Sequence, residues 1–241
     1  MATDVQNQDA AVETQLPHVI AVLGSARSGT SCTAGILNTL GVSMGRFFVP
    51  ANTKNPTGYF ESTDLRMLLQ QIFQGSLANG FQTRQSPDNI VKALQRHIAF
   101  RKDDGDPLGV KHPWLCLLVS EMAQAWPNLK VVSVQRDIDS IVASMSESQS
   151  ASINDEQRRK AVTQLLATRD AELARLNIPT LAINYADILA NPTKAVNDLA
   201  AFAGISPTQD QIAAAVAFVD SSLNHHEPSE SGTASTASNN Y

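Results

Sequence analysis

The chain has 241 residues, of which 43% are hydrophobic, 17% charged and 5% aromatic, enough apolar material for the core of one domain of moderate size. Eighteen Lys and Arg against twenty-three Asp and Glu leave a formal net charge of −5. That excludes a broad basic coat for nucleic acid, although an anion can still be held where positive charge gathers locally.

Residues 1–16 are polar and aperiodic and are expected to form a disordered leader. They lack the apolar h-region of a secretory signal. No apolar run approaches the roughly 20 residues that span a bilayer, so no integral membrane segment is expected. The two cysteines, Cys32 and Cys116, exclude a disulfide framework and fit a reducing compartment, so the expected location is cytoplasmic. Residues 17–226 show no repeat and no dividing linker and are expected to be one domain. Residues 227–241, rich in Ser, Thr and Asn, are expected to be a disordered tail.

Within 17–226 strand-like and helix-like segments alternate. Residues 18–23 (HVIAVL) form a short apolar run ending before Gly24, as a buried parallel strand does. Helical spacing follows at 30–40, 64–74 and 90–100. Residues 108–111 predict a short strand and 115–125 a helix. Residues 130–134 (KVVSV) are the clearest second strand, with helices predicted over 138–145 and 156–176. A further strand is predicted at 180–184, a helix at 186–203 ending near Gly204, and a last helix at 210–219. This alternation implies an α/β fold with a parallel sheet covered by helices on both faces. Ligands of such sheets sit beyond the strand C-termini.

Beyond the first strand runs Gly24-Ser25-Ala26-Arg27-Ser28-Gly29-Thr30-Ser31. Backbone N–H groups of such a loop wrap a phosphate, and the helix N-terminus adds positive potential. The spacing Gly-x4-Gly-x-Ser follows a Walker A loop, but Thr30 replaces the lysine that reaches the β- and γ-phosphates. This argues against an ordinary NTPase. Arg27 supplies charge from another direction. After KVVSV come Gln135-Arg136-Asp137, with Ser140 and Ser144 on the next helix. An arginine at a strand end pairs bidentately with phosphate. The bland alternatives are an ion pair of Arg136 with Asp137 or Asp139, and a surface role for Ser144.

Together these segments resemble the sulfotransferases that use 3′-phosphoadenylyl sulfate (PAPS). Arg27-Ser28-Gly29-Thr30-Ser31 matches that family's 5′-phosphosulfate loop, and Arg136 with Ser144 eight residues on matches its 3′-phosphate pair. Tyr185-Ala-Asp-Ile-Leu-Ala-Asn-Pro192 resembles a further family feature that sets Tyr185 near the nucleotide. Asn55-Pro-Thr-Gly-Tyr-Phe-Glu61-Ser62 and Gly109-Val-Lys111-His112-Pro113 resemble the bacterial branch. The resemblance implies a P-loop-like three-layer sandwich and PAPS as co-substrate, with a carbohydrate, lipid or small-molecule acceptor. Two departures stand out: no C-terminal Arg-Lys-Gly clasp is present, and His112 follows Lys111 directly rather than by two positions.

Sulfuryl transfer, like phosphoryl transfer, asks mainly for positioning and charge stabilisation, and needs no metal here. Arg27, Thr30 and Ser31 would hold the donor, and Lys111 would reach the sulfuryl group or bridging oxygen. Glu61 and His112 are the candidate bases, with Glu61 favoured. Histidine titrates near neutrality without help, whereas a glutamate needs close placement or a raised pKa. Two other readings stay open: a P-loop nucleotide kinase or NTPase, and a non-catalytic nucleotide-binding module.

Other features read as structural. Asp103-Asp104-Gly105-Asp106 is an acidic surface turn without the ligands of a calcium loop. His225-His226-Glu227 make a poor metal site. Cys32, Cys116, Trp114 and Trp126 read as core. Residues 156–160 (EQRRK) read as a solvated helix face, with contact to an acidic acceptor as the alternative. Acceptor walls are expected from 47–60, 77–100 and 146–161. Oligomeric state is not readable.

Overall fold

The five residues of β1 (Val19–Leu23) are all apolar and all buried. A strand apolar on both faces belongs in the middle of a parallel sheet with a layer on either side. The computed structural model describes residues 16–52, 55, 57–76, 80–148 and 153–223. The leader apart from Leu16, the tail, and His225-His226-Glu227 lie outside the described residues. After β1 the chain runs through α1 (Thr30–Thr39), α2 (Thr63–Ile72), β2 (Phe73–Ser76), β3 (Gly80–Thr83), α3 (Pro87–Phe100) and β4 (Leu108–Lys111). It continues through α4 (Val119–Ala125), β5 (Leu129–Gln135), α5 (Ile138–Ser148), α6 (Asp155–Leu176), β6 (Thr180–Asn184), α7 (Tyr185–Ala190), α8 (Pro192–Ala203) and α9 (Gln209–Leu223).

The main sheet has the order β4-β1-β5-β6 with every pair parallel. Side-chain alternation along β1 splits the core in two. Val19, Ala21 and Leu23 join Leu65, Leu69, Ile90, Leu94 and Met122 from α2, α3 and α4. Ile20 and Val22 face the other way, onto Ile36 and Leu37 of α1, Val196 and Leu199 of α8, and Val219 of α9. The expected parallel sheet between two helical layers is therefore the fold.

Three elements depart from the sequence reading. The helix expected to run to Gln74 stops at Ile72, and a β2–β3 hairpin follows. Phe73 turns extended and packs its ring against Phe81 and Trp114. Gly75 sits at φ 105°, and a Cβ there would lie 2.2 Å from the Gly80 carbonyl oxygen, so only glycine lets the strands close. The helix expected over 186–203 is two helices. Pro192 disfavours helical backbone at Asn191, whose side chain instead caps α8 by accepting from the Lys194 N–H at 3.1 Å. The helix expected from Leu115 begins as a 3-10 turn, Pro113–Leu117, and becomes α-helical only at Val119.

The acidic turn is also less solvated than expected. The Asp104 side chain is buried and accepts from Arg101 Nε at 3.2 Å, with Arg46 Nη2 at 2.5 Å. Cys32 and Cys116 are buried and form no disulfide with each other. Trp126 is buried, with its indole N–H donated to the Leu94 carbonyl. Trp114 is half-buried.

Candidate active site

Strand order decides what meets beyond the C-terminal ends of the sheet. Lys111 ends β4, the loop from Gly24 leaves β1, Arg136 follows β5 and Tyr185 follows β6. Four separate stretches of chain thus arrive side by side at one rim.

The loop turns through left-handed backbone at Arg27 (φ 66°) and Gly29 (φ 95°). At Gly29 a Cβ would lie 2.3 Å from the Tyr185 ring, so the aromatic ring that closes the loop excludes any side chain there. Ser28 is buried and donates its hydroxyl to the Ser25 carbonyl at 2.7 Å, which shapes the loop from within. Thr30 is buried at the start of α1. The N-cap, Gly29, offers no capping side chain. The first N–H groups of a helix have no intrahelical acceptor, so this end of α1 is suited to an anion.

On the β5 side, Arg27 Nε donates to Ser144 Oγ at 2.9 Å. Arg136 Nη1 donates to the Arg27 carbonyl at 2.9 Å, and its guanidinium carbon lies 5.3 Å from the Tyr185 ring centroid, within cation–π range. The acids that might have claimed Arg136 are engaged elsewhere. Asp137 accepts from the Ser140 N–H and hydroxyl at 2.8 and 3.0 Å, and Asp139 pairs with Arg159. Ser144 is buried rather than on the helix surface. It is the side chain of Arg27, from the β1 loop, that comes to it.

On the β4 side, Lys111 is only 3% exposed. Its ammonium donates to Glu61 Oε1 at 2.7 Å, to Ser31 Oγ at 3.2 Å and to the Tyr59 carbonyl at 3.2 Å. Asn55 Nδ2 donates to the same Ser31 oxygen at 3.2 Å. The stretch carrying Glu61 is thereby fastened to both α1 and β4. Phe60, just before Glu61, has φ 51°, a strained conformation for an aromatic residue. Edge contacts of its ring with Phe48 and Phe218 hold it there. Burial pushes the Lys111 pKa down, and the Glu61 carboxylate pulls it back up.

His112 Nε2 lies 4.0 Å from Glu61 Oε2. Burial lowers its pKa to about 4 against the opposing pull of Glu61, so the ring is neutral at pH 7. Its Nδ1 accepts from the Trp114 N–H at 3.1 Å. The single ring proton therefore sits on Nε2. That N–H is on the side of Glu61, at a separation longer than a hydrogen bond.

Three buried arginines among the described residues escaped the sequence reading: Arg101, Arg158, which lies in the run read as a solvated helix face, and Arg169. Arg169 of α6 is 1% exposed and donates to the carbonyls of Leu23 and Val134, at 3.3 and 3.1 Å. These are the strand ends from which the β1 loop and Arg136 depart. Its signal was an arginine at an apolar position of a helical stripe that also holds Val162 and Leu173. Among the described residues, no three His, Cys, Asp or Glu side chains are grouped to hold a metal. No helix among them is long and apolar enough to cross a membrane.

A family model described as "Sulfotransferase family" matches residues 17–210. No curated protein sequence matches significantly. The sulfotransferase STF1 of Mycobacterium tuberculosis H37Rv superposes with a TM-score of 0.53 at 17% identity, covering 84% of this chain and 71% of that one. STF9 of Mycobacterium avium gives 0.53 at 16% identity, covering 88% and 69%. The sulfotransferase domain of the Synechococcus PCC 7002 olefin synthase gives 0.54 at 12% identity, covering 83% and 78%. Likeness at these identities establishes the fold alone.

Proposed function

Since the chain belongs to the sulfotransferase family, we propose that it moves the sulfuryl group of PAPS onto a hydroxyl or amine of a carbohydrate, lipid or small-molecule acceptor. The domain would be residues 17–226, in the reducing, cytoplasmic setting that two buried thiols suit. The observation that carries this reading is Lys111, whose buried ammonium lies between Ser31 at the loop and Glu61.

The residues fit the donor. The uncapped start of α1 suits the 5′-phosphosulfate. Arg136, with Arg27 and Ser144 hydrogen-bonded beside it, suits the 3′-phosphate. Tyr185, already against Gly29 and Arg136, would flank the nucleotide. When bound, PAPS supplies a sulfuryl group on a phosphate leaving group. Lys111 and the loop N–H groups would stabilise the charge that grows on that phosphate as the S–O bond breaks. Glu61 would take the proton from the acceptor as its new bond to sulfur forms. The Nε2–H of His112 would orient the Glu61 carboxylate.

The test is calorimetric titration with 3′-phosphoadenosine 5′-phosphate (PAP), AMP and ADP in EDTA, followed by transfer from radiolabelled PAPS into an acceptor panel. Preference for PAP and label in an acceptor support the reading. Absence of that preference, or binding of ATP only with Mg²⁺, would move it to a nucleotide kinase. PAP binding with no product from any acceptor would leave a non-catalytic module.

A further inference from the structure

Residues 57–61 belong to no helix or strand, yet they carry Glu61 on a strained turn. Phe60 adopts φ 51°, left-handed backbone that an aromatic residue enters only when its surroundings impose it. On one side of the turn the Tyr59 carbonyl accepts from Lys111 Nζ at 3.2 Å. On the other the Glu61 carboxylate accepts from the same nitrogen at 2.7 Å. The turn at Phe60 brings both groups to one ammonium, and relaxing it would swing one of them away.

A wedge of rings holds the turn. Phe60 makes edge contacts with Phe48 and Phe218, at centroid distances of 5.6 and 5.7 Å. Phe48 is bridged to Ser62, so it moves with the stretch it supports. Phe218 belongs to α9, whose Ala215 and Val219 are buried in the core layer of Ile20 and Val22. Both rings are seated on Gly35 of α1. A Cβ there would lie 2.3 Å from two carbons of the Phe218 ring and 2.9 Å from the Phe60 ring. Gly35 is buried in mid-helix, where glycine weakens a helix relative to alanine. The close approach of the two rings accounts for it.

Resting on the reading of Glu61 as the base, we propose that Phe218 and Gly35 are positioning residues for it. Helix α9 supplies none of the groups at the sheet rim. It acts through Phe60, fixing the turn that sets the carboxylate against Lys111. Gly35 lets that contact form from within α1, the helix whose first turn faces the donor. The geometry of the base is thereby tied to the last helix of the fold, because a small misplacement of a reacting group is costly even when its cause is remote.

Hydrogen exchange on the full chain reads the anchor directly. The Val49 N–H donates to the Glu61 carbonyl at 2.9 Å, and the Thr63 N–H to the Phe47 carbonyl at 2.8 Å. In Phe218→Leu and in Gly35→Ala both amides should exchange about tenfold faster or more, while those of β1 keep their rates. Turnover of radiolabelled PAPS with an acceptor from the panel should fall roughly 10- to 100-fold in each variant, with PAP affinity unchanged. Added to Glu61→Gln, Phe218→Leu should cost nothing further, since a residue that acts through Glu61 has no effect once the carboxylate is gone. Unchanged exchange at Val49 and Thr63, an equal rise in β1, or the same loss of turnover in the Glu61→Gln background would each overturn the proposal. Full turnover in Glu61→Gln alone would instead remove Glu61 as the base, and a protein without activity would remove the sulfotransferase reading. In both cases the exchange rates still decide whether α9 anchors this stretch.

Discussion

Glu61 and Lys111, fifty positions apart, meet at 2.7 Å with the lysine buried. The same ammonium touches Ser31, just beyond the β1 loop, so one cation joins the two halves of the candidate site. Glu61→Gln keeps the shape of the carboxylate and removes its basicity. Turnover should fall by roughly 10²- to 10⁴-fold while PAP affinity stays unchanged, as read by steady-state kinetics beside calorimetry. His112→Asn should cost less. A Glu61→Gln enzyme with undiminished turnover would end the assignment of Glu61 as base.

Arg136→Ala should strip the preference for a 3′-phosphate. The guanidinium is in place over Tyr185, with no acid bound to it among the described residues. A charge-assisted pair with phosphate contributes about 2 to 3 kcal/mol, so PAP should weaken by roughly 30- to 150-fold. AMP should bind as before. Equal loss for both nucleotides would mean that the arginine only supports the loop.

Gly29→Ala tests the closure of the loop by Tyr185. Positive φ and a ring carbon 2.3 Å from the new Cβ should cost about 1 to 3 kcal/mol. That corresponds to a melting temperature lowered by roughly 2 to 12 °C in a protein of this size. Nucleotide binding should suffer as well, and the double variant with Tyr185→Ala should recover part of the stability. An unchanged melt would contradict the packing described.

Arg169→Met leaves the carbonyls of Leu23 and Val134 without this donor, at about 1 to 3 kcal/mol for each unsatisfied group. The melting temperature should drop, and PAP should bind more weakly because both loops lose their anchor. Arg169→Lys should restore part of each. A variant that melts lower yet binds PAP normally would confine Arg169 to stability.

Acid should destabilise the fold through two histidines. Burial lowers both His97 and His112 to about 4 in the folded chain, against 6.5 unfolded. Between those values the unfolded chain binds more protons, so stability rises with pH through the window and levels off above it. Thermal melts should therefore lose midpoint temperature as pH falls from about 6.5 to about 4, and His97→Gln with His112→Gln should flatten the slope. Glu172, lowered to about 2 by hydrogen bonds from Arg175 and Ser120, acts in a lower window and leaves the upper part clear. A slope unchanged in the double variant would assign it elsewhere.

Sheet and layers were legible because their signal is local, as is the pattern of the loop after β1. HVIAVL and KVVSV carry two-sided apolar runs, and Gly24 to Ser31 concentrates its chemistry in eight consecutive residues. Local pattern failed at the hairpin, where the helical spacing persists through Phe73 and Gln74. The change there comes from Gly75 and from Phe73 packing on Phe81 and Trp114. The residues of the site could be named from sequence, but not their partners. A one-dimensional pattern carries no distances between strand ends, so Arg27 with Ser144, Lys111 with Glu61, and Arg169 beneath two loops were decided by the order β4-β1-β5-β6. The relation between Glu61 and His112 was likewise tertiary: the Trp114 N–H occupies the Nδ1 of His112, and only the packing of β4 against the Glu61 stretch brings Nε2 to 4.0 Å from the carboxylate.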